Sequence, residues 1–224
     1  MKRAESKVGY PAIVKPVCLG SSVGVSRATD AVELLEAIDL ALELDGRALV
    51  EEALTDFIEI NCSVMGPPEH ASACEQPMGY EAVLSFDDKY KHGGKKLGSG
   101  ASGGGSGRAS GAAAPTAGMA GQRRQVPAPI GDELTAQVQA MAIQAFRSIG
   151  ASGVVRVDFL YQEHKKRLLL NEINTTPGSL SCYLWEEEGL RFDQLVTRLV
   201  DIALERHESD RLTVYSFSAN LLTK

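Results

Sequence analysis

Apolar residues recur every three or four positions in some stretches of the chain and every second position in others, and that contrast predicts its elements. Over 30–44, Leu34, Leu35, Ile38, Ala41 and Leu42 form a helical stripe. Asp30 and Glu33 are spaced there as a capping box, and Gly46 lies beyond the end. Over 132–149 the stripe is Leu134, Val138, Met141, Ala142, Ala145, Phe146 and Ile149, with Gly150 as the stop. A last helix is expected over roughly 192–206. Strand patterns occupy 12–16, 47–51 and 58–65, with weaker ones at 71–75 and 81–85. Two more, GVVRVDFLY (153–161) and RLLLNEIN (167–174), flank the polar loop 162–166 and read as hairpin neighbours. Helices interleaved with hairpin-prone strands, without strict βαβ alternation, predict an α+β fold on antiparallel sheet. The expected division is 1–66, 67–208 and a tail over 209–224.

Residues 91–124 break the pattern. They are dominated by Gly, Ala and Ser, contain no acid and carry six cations, so the remainder sums to about -12. Such a composition builds no core and is expected to be flexible. The whole chain carries -6, which argues against a general nucleic-acid binder. No apolar run reaches the length of a membrane span, and residues 1–6 do not read as a secretory leader, so no membrane partner is expected and the cytoplasm is the default. Cys18, Cys62, Cys74 and Cys182 lack C-x-x-C spacing and read as reduced thiols.

Side chains two apart on a strand project from one face. Arg156 therefore accompanies Asp158, and Glu172 accompanies Asn174; in a hairpin, one guanidinium, two carboxylates and an amide oxygen meet on one surface. Magnesium takes oxygen donors of that kind. The other reading is an exposed polar face on an amphipathic hairpin. Upstream, Lys15 ends an apolar run and precedes Gly20-Ser21-Ser22-Val23-Gly24, a loop able to offer N–H groups and hydroxyls to phosphate. Glu51, Glu52 and Leu54 follow at another strand end, and Glu59 comes five residues after Leu54.

In this order, VKPVCLGSSVGVS, LVEEAL with Glu59, Asp88-Lys89-Tyr90, GVVRVDFL and NEINTTPG resemble the ATP-grasp enzymes, most closely the D-alanine–D-alanine ligase family. The resemblance implies ATP and two magnesium ions, or manganese, as cofactors. Asp158, Glu172 and Asn174 would hold the metals. Lys15 and Lys89 would contact phosphates, with Ser22 and the Val23-Gly24 backbone closing over them. Glu51, Glu52 and the backbone through Leu54 would meet adenine, Leu160 would pack on its ring, and Glu59 would bind ribose. Arg156 and the Gly178 N–H would stabilise an oxyanion, and Ser21 and Tyr90 would belong to a hydrogen-bond triad that orders the loops. The implied activity is amide synthesis through an acyl phosphate in peptidoglycan precursor formation, with small amino acids as substrates.

The resemblance covers only the ATP-binding and carboxy-terminal catalytic part of such a ligase. The expectation is a truncated form, weak or inactive alone, served by the amino-terminal domain in trans or by a homodimer. One departure bears on substrate: where the ligases carry a serine for the second amino acid's carboxylate, this chain has Tyr183, and Ser181 substitutes only by a shift in register. A ligase for another amino acid or dipeptide, and a non-catalytic ATP-binding module that needs a partner chain, are the alternatives.

Overall fold

The protein is described here by a computed structural model covering residues 6–20, 22–78 and 124–212. These fall into two compact units, one within Met1–Thr55 and one formed by Asp56 onward together with the residues after 123.

In the first unit, β1 (Ala12–Pro16) lies between β2 (Ser26–Ala28) and β3 (Ala48–Glu52), antiparallel to both. Helix α1 (Ala31–Leu44) lays Leu34, Ala37 and Ala41 on Ala12, Val14 and Ala28. Its start is the expected Asp30 cap, which accepts from the Val32 and Glu33 N–H groups at 2.8 and 2.9 Å. The reciprocal half of the box is displaced by one residue. Glu33 accepts from the backbone N–H and the hydroxyl of Thr29, at 2.7 and 2.6 Å.

In the second unit, β4 (Ile58–Gly66), β5 (His70–Pro77), β6 (Arg124–Gln125), β7 (Gly153–Gln162) and β8 (Arg167–Asn174) form an antiparallel sheet ordered β6-β5-β4-β7-β8. Helix α2 (Asp132–Ser148) covers one face, where Val138, Ala142, Ala145 and Phe146 meet Ile60, Cys62, Val64, Val155, Val157 and Phe159. On the other face, Met65 and Val154 join Trp185 of α3 (Cys182–Glu186) and Leu195 and Ile202 of α4 (Phe192–Leu212). The centre of that second face is polar.

A bulge at Asn171 lets β8 carry one extra residue within this two-faced arrangement. Phe159 pairs with Leu170 and Asp158 with Glu172, so Asn171 is an extra residue on β8. Leu168 and Ile173, five positions apart, both pack on the α2 side. An unbroken alternation would put them on opposite faces. The bulge shifts the phase, keeping Leu168 and Ile173 on the α2 side and turning Glu172 and Asn174 to the polar face.

Two expectations change. The strand Ile58–Gly66 belongs to the second unit, because it pairs along its whole length with β7, and the boundary falls at Thr55–Asp56 and not at 66. Helix α4 runs to Leu212, so 209–212 are helix and not tail; the Arg206–Asp210 and Glu208–Arg211 pairs line its polar continuation. Short elements β2, β6 and α3 carry too few residues to show a period. The expected strand over 81–85 and the Gly-rich stretch up to 123 lie outside the described residues, and Arg124 begins β6.

Candidate functional site

Strand β7 alternates strictly through its middle. Val157 and Phe159 enter the core, so Arg156 and Asp158 stand on the opposite face. The register then sets their neighbours: Asp158 is opposite Glu172, and Arg156 is opposite Asn174. Arg156 clasps Asp158 through Nε and Nη2 at 2.6 and 2.7 Å. The Asn174 amide donates to Asp158 Oδ2 at 2.9 Å and to Glu172 Oε1 at 3.2 Å. The four side chains expected to converge do so.

One guanidinium against two carboxylates leaves this group with an excess negative charge. The Arg156 and Asp158 side chains are only 12% and 13% exposed, and that burial governs their titration. Pairing with Asp158 raises Arg156 above its usual range. Pairing should by itself lower Asp158, yet burial outweighs the bond from Arg156 there, and adjacent Glu172 adds to it, so Asp158 moves up from 3.8 to about 6.

Between those values the folded chain holds a proton that the unfolded chain has released, so this group's contribution to stability falls as pH rises from about 4 to about 6 and is level above. Urea titrations at several pH values should show that slope in the parent chain and a reduced one in Asp158→Asn. Equal slopes would place Asp158 at an ordinary carboxylate value.

The donor set suits a hard divalent cation. Among the described residues no three His, Cys, Asp or Glu gather, so the set is two carboxylates and one amide. Magnesium accepts few protein oxygens and completes its shell with water and phosphate. The Asn174 amide carries donor and acceptor on one carbon, so a half-turn exchanges the N–H that now holds the carboxylates for an oxygen.

The remaining expected residues fall into groups. In the first unit, Lys15 Nζ lies 2.7 Å from Glu51 Oε1 across the β1–β3 pairing, while Glu52 is exposed and Leu54 half-buried. Ser22 and Gly24 have φ of 58° and 73° in the turn that follows β1. A Cβ at Gly24 would approach Leu44 Cδ1 to 2.6 Å and Pro16 Cγ to 2.9 Å, so this glycine is required by packing as well as by its backbone. Val23 donates its N–H to the Gly20 carbonyl at 3.2 Å. Ser21, Lys89 and Tyr90 lie outside the described residues.

In the second unit, Glu59 pairs with Leu160 across β4 and β7. Gly178 is exposed and opens a short 3-10 turn in which Ser179, Leu180 and Ser181 all have positive φ, 51°, 54° and 52°. Successive left-handed residues other than glycine cost roughly 1–2 kcal/mol each, which is how strain accumulates at functional loops. Ser181 is fully buried, and its hydroxyl has no partner among the described residues.

The sequence singled out Tyr183 but not its polar partners Asn61, Glu75 and Arg124. Asn61 stands opposite Asp158 on one side and opposite Glu75 on the other, so one row crosses β5, β4, β7 and β8 as Glu75, Asn61, Asp158, Glu172. Glu75, only 3% exposed, accepts from Asn61 Nδ2 at 3.0 Å and from the Tyr183 hydroxyl at 2.6 Å. Arg124 lies 4.1 Å above the Tyr183 ring and 3.7 Å from Glu75. An acid on the sheet side of a strand was the only signal available for Glu75, and nothing linked it to a tyrosine 108 residues away.

Residues 1–101 and 118–201 match the family described as D-ala D-ala ligase C-terminus. The chain is 35% identical over 208 residues to a D-alanine–D-alanine ligase of Prochlorococcus marinus, covering 91% of this chain and 51% of that protein. With D-alanine–D-alanine ligase A of Escherichia coli K12 it shares 36% over 214 residues, 92% of this chain and 50% of the relative. The chain thus spans about half the length of the curated relatives it matches. Among solved structures, the VanG D-Ala:D-Ser ligase of Enterococcus faecalis superposes with a TM-score of 0.67 at 27% identity, covering 90% of this chain and 52% of that one.

Proposed function

Because the chain belongs to the D-ala D-ala ligase C-terminal family, with its α+β ATP-grasp fold, we propose that it supplies the nucleotide- and metal-binding part of an ATP-dependent carboxylate–amine ligase. The substrates proposed are two small amino acids, D-alanine foremost, and the product a dipeptide for peptidoglycan. The cytoplasm is the proposed setting, since the reaction consumes ATP; among the described residues no helix is long and apolar enough to cross a membrane.

The observation that carries this reading is the convergence of Arg156, Asp158, Glu172 and Asn174 on one sheet face by strand register. Asp158, Glu172 and Asn174 would hold magnesium, which when bound neutralises phosphate charge as the acyl phosphate forms and collapses. Arg156, braced by Asp158, would offset negative charge on the carbonyl under attack, with the Gly178 N–H assigned to the same oxyanion. Lys15, with Lys89, is assigned to the phosphates, and Glu59 with Leu160 to the nucleoside.

The test is calorimetric. Glu172→Gln should weaken magnesium-dependent ATP binding at least tenfold while leaving the fold intact, because Glu172 is an exposed group and not core. Unchanged Mg-ATP affinity would remove Glu172 from the metal site. A second reading, a ligase whose amine substrate is not D-alanine, is favoured by one observation: the Tyr183 hydroxyl is committed to Glu75.

A further inference from the structure

Two of the cysteines face each other inside the second unit. Cys62 of β4 and Cys74 of β5 are direct register partners, and both belong to the apolar cluster beneath α2, where they are 0% and 2% exposed. Antiparallel partners alternate between pairs that exchange two backbone bonds and pairs that exchange none, and the second kind brings side chains closer. The backbone bonds tell which kind this is. Cys74 turns its carbonyl away from β4, where it accepts from the Ala128 N–H at 2.8 Å. On β4 it is Ser63 whose N–H turns toward β5, reaching Ser72 Oγ at 3.0 Å, so the N–H of Cys62 before it turns toward β7. Cys62 and Cys74 are therefore a non-hydrogen-bonded pair. In such a pair the Cα atoms stand about 4.5 Å apart, inside the roughly 4.4–6.8 Å that a disulfide spans.

The surroundings suit closure of that bond. The Cys62 thiol donates weakly, at 3.6 Å, to the Ser63 and Ser72 carbonyls. Rotating it toward Cys74 leaves the Ser72 carbonyl satisfied, because Gln139 Nε2 of α2 donates there at 3.0 Å. The ladder also breaks register just beyond the pair, where one residue of β4, Ser63, spans Ser72 and Ala73 of β5. Such a bulge adds local twist and spares the neighbouring pair a rigid ladder.

We propose that Cys62 and Cys74 form a redox-modification site, closed to a cross-strand disulfide by a small-molecule disulfide and reopened by the corresponding thiol. The Cys74 thiolate attacks one sulfur of the oxidant, whose S–S bond breaks and releases one thiol carrying the Cys74 proton. The Cys62 thiolate then attacks Cys74 Sγ in the mixed disulfide, and the second thiol leaves with the Cys62 proton. The pair loses two electrons, and the oxidant becomes two thiols. Because both sulfurs are shielded in the closed fold, exchange proceeds while β5 opens from the sheet, and β6 beyond it is a strand of two residues. The finished bond staples the β4–β5 hairpin and resists the opening that admitted the oxidant. The site lies on the face opposite the Arg156 group and stands independently of the ligase reading.

In the experiment the full chain, folded throughout, is equilibrated in glutathione buffers from reduced to oxidised, quenched with an alkylating reagent and cleaved after Glu69, which lies between the two cysteines. The peptides carrying Cys62 and Cys74 should stay joined in the oxidised buffers and separate again when reduced glutathione is restored. Amide exchange over 71–76 should slow severalfold in the joined form. Cys74→Ala should abolish both the link and the redox dependence of exchange. The parent chain, compared reduced and oxidised, carries the test by itself if that variant folds poorly. Three outcomes overturn the proposal: both cysteines alkylated in every buffer, glutathione retained on Cys74 without the link, or a link that forms only after urea unfolds the chain.

Discussion

Arg156→Ala is expected to destabilise the second unit by about 3–5 kcal/mol in urea titrations at pH 8, because it strands Asp158 in a site where burial already strains the carboxylate. The loss has a recognisable pH dependence. Near pH 5 the abandoned carboxyl can protonate, so most of the defect should disappear there. Replacing both partners with apolar residues, Arg156→Met with Asp158→Leu, should cost far less than the single change, since no charge is then left unpaired. A single variant as stable as the parent at pH 8 would show that the pair is solvated in solution.

Phe159→Ala should be equally severe for a different reason. The ring is fully buried between sheet and α2, in the same cluster as Phe146, Val138 and Val157, and deleting it removes transfer free energy and leaves a cavity. About 3–5 kcal/mol is the usual range for such a truncation. Because Phe159 and Asp158 are sequence neighbours on opposite faces, Mg-ATP affinity measured well below the unfolding transition should change much less. A stability loss under about 1 kcal/mol would mean that the core collapses around the gap.

Much of the fold could be read directly, because long amphipathic segments carry many repeats of their own period. The stripe from Leu134 to Phe146 and the alternation from Val154 to Phe159 are examples, and both place their elements within a residue or two. Short elements fail that test: three residues of β2 and two of β6 contain no period at all. The site was legible where its members are two apart on a strand, as with Arg156 and Asp158. It was illegible where members come from different strands and a distant helix: only the β4–β5 and β4–β7 registers bring Glu75 and Asn61 into one row with Asp158, and Arg124 and Tyr183 reach Glu75 from β6 and α3. The charges at Glu51 and Lys15 were visible, but their 2.7 Å pairing depends on β1 and β3 being neighbours in the sheet.

The bulge on β8 also bears on how the chain tolerates changes in length. Leu168 and Ile173 serve the core, and Glu172 and Asn174 serve the polar face, so losing any of them removes a packing residue or a candidate ligand. The register between β7 and β8 steps past Asn171. Its removal would leave Leu170 opposite Phe159 and Glu172 opposite Asp158, with every side chain on the face it already occupies. Natural variation in this hairpin should therefore take the form of a single-residue gap at 171 more readily than anywhere else between 168 and 174, and a shortened strand of that kind would trade local twist for a regular ladder without disturbing the groups it presents.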